Sequence, residues 1–190
     1  MQADKGKDNI METASQDLIQ EHKAILIALN VLEKMHERVQ NDKEIDCEDI
    51  EEIIEFLKVF ADKCHHGKEE DFLFPALEEV GIKNENGPIG VMLAQHKQGR
   101  EFIKQMQKSI LNKIINKNTF VGASSSYVSL LRNHIKKEDT ILFPMSDNKL
   151  SASKQKELLN NFENLEKNVI GEGKHKELHT LLEKFKNKYL

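Results

Sequence analysis

Residues 65–75 read His-His-Gly-Lys-Glu-Glu-Asp-Phe-Leu-Phe-Pro, and residues 134–144 read His-Ile-Lys-Lys-Glu-Asp-Thr-Ile-Leu-Phe-Pro. Laid over each other without gaps, they share the opening His, the Lys before the Glu, the Glu and the closing Leu-Phe-Pro, at a constant offset of 69 residues. A His and a Glu four apart lie on one helix face, one turn above the other. The repeat therefore pairs His65 with Glu69 and His134 with Glu138. His66 and Glu70 have the same internal spacing, but only His65 and Glu69 keep the downstream Leu-Phe-Pro in step with the second copy.

Outward from these segments, apolar residues recur at helical spacing almost everywhere. A first helix is expected from about Ser15 to Gln40, with Leu18, Ile25, Leu29 and Leu32 on its seam. Thr13 and Gln16 have capping-box spacing at its start. A second is expected from about Asp46 to Val80, with Gly67 and Pro75 bending it or ending a segment within it. Gly81 suits its carboxy-terminal cap. A third runs from Pro88 to about Ile115 and a fourth from about Thr119 to Met145, with no strand signal anywhere. After a polar break, Ser151 or Ser153 can cap a fifth helix. Gly171 and Gly173 break it before a short last helix.

Helices joined by short turns predict an all-α fold, an up-and-down four-helix bundle with one or two additional C-terminal helices. The expected organisation is a flexible N-terminal tail over residues 1–12, the bundle over 13–147, and a helical extension over 148–190 packed on the bundle.

The composition narrows the setting. Twenty-eight basic and 32 acidic residues are interspersed, for a net charge of −4, so no basic field invites nucleic acid. No apolar run is long enough for a membrane span, and residues 1–16 lack the apolar core of a signal peptide. Cys47 and Cys64 fall on one expected helix, too far apart to bridge, as suits a reducing, cytoplasmic setting.

The other two bundle helices each place one His on the core stripe. His22 lies between Leu18 and Ile25, and His96 between Met92 and Ile103. Four helices thus offer His, His with Glu, His, and His with Glu. Imidazoles supply neutral ligands, and carboxylates can bridge two cations and offset their charge. A mixed nitrogen and oxygen set favours iron or manganese over structural zinc, which prefers thiolates.

His22 in LIQEHKAI, His65 and Glu69 in CHHGKEEDFLFPAL, His96 in LAQHKQGREF, and His134 and Glu138 in NHIKKEDTILFPM together resemble the hemerythrin-like family, the HHE cation-binding domain. The resemblance covers roughly Gln16 to Met145. It implies a non-haem site of two iron ions with an oxo or hydroxo bridge, ligated by His22, His65, Glu69, His96, His134 and Glu138. It also implies a small diatomic ligand or peroxide as partner. No protein partner can be read.

The sequence departs from the oxygen-carrying members, whose third helix places two His one turn apart. Here Met92 and Arg100 flank His96, and the last acidic ligand is Glu138 rather than Asp. The set is one nitrogen short, which moves the expectation from oxygen carriage to binding or reaction with dioxygen, peroxide or nitric oxide, in detoxification or sensing. The alternative is a binding protein that stores oxygen or stores and donates iron without turnover. Ferritin-like sites use Glu-x-x-His and lone Glu residues, so both the order and the lone residue differ.

Other residues have plainer readings. His66 and Glu70 are expected to be solvated or to support the ligands from behind. His36 is expected at the far end of the bundle. His175 and His179 have metal-pair spacing on a charged terminal helix. Tyr127 and Lys58, each seven residues before a motif His, could reach the site. Cys64 reads as a small buried hydrophobe.

Overall fold

The computed structural model describes residues 13–171 and 173–190, without the side chains of Val169 and His175. The tail expected over residues 1–12 lies outside the described residues. Helix α1 spans Ala14–Gln40 and opens on the expected capping box. The Gln16 amide donates to Thr13 Oγ1 at 3.3 Å, and the Thr13 amide donates to Gln16 Oε1 at 3.0 Å.

The second rod runs unbroken over residues 47–79. It comprises α2 (Cys47–Phe56), the π-helical π1 (Leu57–His66) and π2 (Glu69–Leu73), and α3 (Phe74–Glu79). Neither Gly67 nor Pro75 ends it. Proline lacks an N–H, and its ring meets the carbonyl four residues back in an α-helix. A π-turn relieves this, because its hydrogen bonds reach five residues back. The Phe74 amide accordingly donates to the Glu69 carbonyl.

The fourth rod repeats the device over residues 117–149, as α5 (Lys117–Lys137), π3 (Glu138–Leu142) and α6 (Phe143–Lys149). There the Phe143 amide donates to the Glu138 carbonyl. The 69-residue offset seen in the letters is therefore also an offset in backbone geometry. The closing Leu-Phe-Pro marks the end of each π-turn.

After α3, Gly81 takes φ +85° and closes the helix as expected. Its amide reaches the Glu78 carbonyl, and the Ile82 amide reaches that of Leu77. Helix α4 spans Pro88–Lys108, shorter than the pattern suggests. The expected tail of that helix is instead a hairpin, β1 (Ile110–Leu111) paired antiparallel with β2 (Ile114–Ile115). Asn112 and Lys113 both adopt positive φ, +49° and +61°, the demand of a two-residue turn whose twist suits a hairpin. The four flanking residues are Ile or Leu, and such a short apolar run has no period to separate helix from strand.

Ser151 caps α7 (Ala152–Leu165), its hydroxyl accepting from the Lys154 amide at 3.3 Å. A π-helical segment π4 (Glu166–Gly171) follows. Gly171 and Gly173 have positive φ before α8 (Lys174–Tyr189).

Among the described residues, the fold is all-α apart from the hairpin. The amino end of α1, the end of the second rod and the start of α4 share one apolar cluster with α6 and α7, built around Leu18, Phe74, Ile89, Phe143 and Phe162. The other end of the bundle forms a second cluster around Leu29, Ile53, Phe60, Ile103, Phe120 and Phe185, which α8 joins. This distribution makes consecutive rods run up and down. Between the two clusters lies a layer of buried His and Glu. Among the described residues, no helix is long and apolar enough to cross a membrane.

Candidate metal centre

His22, His65, Glu69, His96, His134 and Glu138 are all buried, none more than 1% exposed. The structure groups them into two clusters that share Glu69. One holds His22, His65, Glu69 and Glu138, and the other holds His66, Glu69, His96 and His134. Within each, the candidate ligand atoms lie within 4.8 Å of one another.

Both carboxylates span the two clusters. Glu69 places Oε1 at 3.7 Å from His65 Nε2 and Oε2 at 3.4 Å from His96 Nε2. Glu138 Oε2 lies 3.3 Å from His22 Nε2 and 3.2 Å from His134 Nε2. The π-turn that begins at each Glu is the local cause, since it sets the carboxylate inward just where the proline relaxes the helix.

The outer nitrogens settle the tautomers. His22 Nδ1 donates to Asp139 at 2.7 Å, His65 Nδ1 to Glu21 at 2.9 Å, His96 Nδ1 to Glu70 at 2.7 Å, and His134 Nδ1 to Gln95 Oε1 at 3.2 Å. A His whose Nδ1–H is held by an oxygen directs the Nε2 lone pair the other way, as metal-ligating His do. Here the lone pairs meet head-on. His22 Nε2 and His65 Nε2 are 3.0 Å apart, and His96 Nε2 and His134 Nε2 are 3.1 Å apart. Two lone pairs at that distance repel unless a proton or a cation lies between them.

All four oxygens of Glu69 and Glu138 are buried without a hydrogen-bond partner. Buried carboxylates are strongly unfavourable when unpaired. Burial, then the charge of Glu138, pushes the Glu69 carboxyl well above the usual range. Burial and the neighbouring imidazoles push His65 and His134 well down. Burial also opposes charge on His22, but Asp139 and Glu138 outweigh it and hold its pKa up to about 9. A pair of divalent cations would resolve these conflicts together, taking the place of the proton on His22 and meeting the four inward Nε2 atoms and the two buried carboxylates. The residues present fit such a group.

Behind the centre lies a buried cation of the protein's own. Lys68 is fully buried, with Nζ at 2.8 Å from Asp17, 3.0 Å from Glu21 and 2.6 Å from Glu166. Through Glu21 it stands one residue removed from His65. Glu21, Cys64 and Glu166 also have metal-like spacing, but the Lys68 ammonium already serves the two carboxylates. The Cys64 thiol is buried and pushed up by that burial, so it stays protonated.

Several expectations shift. Glu70 supports a ligand from behind, holding His96 while Arg100 holds Glu70 at 2.7 Å. His66 is not solvated. It is 3% exposed and stacks on the His96 ring at 3.8 Å. Lys58 turns outward to Glu55 at 3.0 Å and stays away from the centre. Tyr127 is buried, and burial together with the charge of Asp62 raises its phenol pKa and keeps it protonated. His36 belongs to neither cluster. His179 lies edge-on to Phe60 at 5.7 Å, and the His175 side chain lies outside those described. Sequence reading did not find Glu21, Asp139 and Gln95 as orienting groups. The one available signal was that Asp139 follows Glu138 as Glu70 follows Glu69.

The hemerythrin HHE cation-binding domain model matches residues 13–146. The chain is also 24% identical over 164 residues to uncharacterized proteins of Mycobacterium bovis and of two strains of Mycobacterium tuberculosis. The matched stretch is 84% of this chain and 64% of each relative, so the chain spans under two thirds of their length. No solved structure matches it. With a family match running through all four rods and enclosing every buried His and Glu of the centre, the chain belongs to the hemerythrin HHE cation-binding domain family.

Proposed function

We propose that this protein holds two iron ions bridged by Glu69 and Glu138, and that it binds or reacts with dioxygen, peroxide or nitric oxide in oxidant detoxification or sensing. The observation that supports the reading is the pair of buried carboxylates that lie across both clusters without a hydrogen-bond partner, set among inward-facing imidazole Nε2 atoms. The nitrogen and oxygen donors suit iron, and no thiolate competes. Bound there, the metal pair would supply the redox chemistry.

The chain's own residues do the rest. His22 and His65 would hold one ion, and His96 and His134 the other. Asp139, Glu21, Glu70 and Gln95 keep each imidazole in the ligating tautomer. The apolar clusters on either side exclude bulk water from the centre.

The test is anaerobic loading of the purified chain with ferrous iron, followed by oxidant. Two iron ions per chain and the absorption of an oxo-bridged diferric pair are expected. Absence of both ends the proposal. Full reversal of the colour on removing oxygen would instead indicate an oxygen store.

A further inference from the structure

The geometry points to His66 as a further ligand to the ion held by His96, His134 and Glu69, which makes the pair unequal, three imidazoles on one ion and two on the other. The inference rests on the bridged pair proposed above and adds a ligand to it.

His66 is buried and its Nε2 has no hydrogen-bond partner. A ring nitrogen of His66 lies within 4.8 Å of the ligand atoms of Glu69, His96 and His134. Its ring stacks on His96, with planes 14° apart, and stands edge-on to His134 at 5.5 Å. Its Nδ1 faces Asp62 Oδ1 at 3.4 Å, and Arg100 Nε holds that same oxygen at 2.7 Å. This is the layout of the other four imidazoles, with Nδ1 on an oxygen and Nε2 inward. A ring that merely filled space here would be apolar, since an orphaned buried nitrogen is unfavourable.

The third helix offers no second nitrogen. Met92 carries none to give, and Arg100 is engaged with Asp62 and Glu70. The second rod provides it instead. His65 and His66 close π1, where both adjacent side chains are buried, so each faces one of the two clusters.

The full chain, loaded with isotopically enriched ferrous iron and oxidised, is examined by Mössbauer spectroscopy and iron counting. Two doublets of equal area and different splitting are expected, from inequivalent ions. His66→Ala, and His66→Phe with its ring still stacked on His96, are expected to alter one doublet and spare the other. One iron should bind at least tenfold more weakly, with helical circular dichroism unchanged. Two tightly bound irons and unaltered doublets in either folded variant would overturn the assignment and leave the bridged pair standing. A single doublet from two equivalent irons in the wild type would overturn it without any variant. No iron pair in the wild type would overturn the bridged pair itself, and this ligand with it.

Discussion

The two motif copies, residues 65–75 and 134–144, carry the same His, Glu and Pro around the same π-turn, which starts at the Glu and ends before the Phe-Pro, yet stand in different surroundings. Each sends its Glu across both clusters. Each also uses the acidic residue after that Glu to hold the lone His of another helix, Glu70 holding His96 and Asp139 holding His22. Beyond this the copies part. His65 leans on a carboxylate, Glu21, which is backed by the buried Lys68, while His134 leans on the neutral amide of Gln95. His66 in the first copy corresponds to Ile135 in the second, both buried. The comparison teaches that the repeat specifies the two carboxylates that lie across both clusters, and that the departures from it set what differs between the clusters.

Glu69→Gln and Glu138→Gln strike at what the copies share, so both should have the largest effect. Each is expected to weaken iron binding by more than the ~100-fold typical of losing a supporting residue. Glu69→Gln should also raise the melting temperature of the iron-free chain, because a buried carboxylate without a hydrogen-bond partner has been removed, whereas Glu138→Gln should not, since Glu138 helps hold charge on His22. A variant that kept both irons, by chelator competition, would break the claim that both copies bridge.

Lys68 and Lys137 test where the copies differ. Lys68→Met leaves Asp17, Glu21 and Glu166 without their common cation and should destabilise the chain by about 3 kcal/mol. Lys137 is only half-buried, beside an open groove lined by Gln95 and Asn133. Lys137→Met should stay within about 0.5 kcal/mol. Urea unfolding of the two variants decides this, and equal losses would contradict the asymmetry.

Glu70→Gln and Asp139→Asn sharpen the shared supporting role. Each should lower iron affinity by ~10–100-fold with little change in folding. A tenfold gap between them would show that the two acidic residues are not equivalent.

A small, pH-dependent effect belongs to the second copy's outer contact. Arg132, two residues before His134, grips Glu33 of α1 through two hydrogen bonds, at 3.0 and 2.8 Å. Arg132 holds the Glu33 carboxyl below its usual 4.5. A lowered carboxyl stabilises the fold above the unfolded value, and that stability is lost as pH falls through the folded value. Both side chains are partly exposed, so Arg132→Ala should cost at most about 1 kcal/mol near neutral pH. The gap between wild type and variant should close below about pH 4. A gap that widened in acid would refute the pairing.

Much of the fold was legible because helical periodicity, caps and the repeat are local properties of the chain. The capping box at Thr13, the Ser151 cap and the glycines at 81, 171 and 173 needed only neighbours a few residues away. The pairing of His65 with Glu69 and His134 with Glu138 needed only a period of four and a constant offset. The hairpin at 110–115 was missed because four apolar residues around Asn-Lys carry no period, and the turn depends on two positive φ values. The burial of His66 beside His65 was not legible because an α-helical period turns adjacent residues to different faces, whereas both lie in the π-helical segment π1.

By itself, then, the sequence determined the helices, their order and the His and Glu that repeat along them, since each is encoded within a turn or two of its own helix. Tertiary structure alone decided that Glu69 and Glu138 lie across both clusters, that Asp139, Glu21, Glu70 and Gln95 hold the imidazoles, and that Lys68 meets Glu166. Those contacts join residues far apart in the chain, and they exist only once packing has fixed how each rod is rotated against its neighbours.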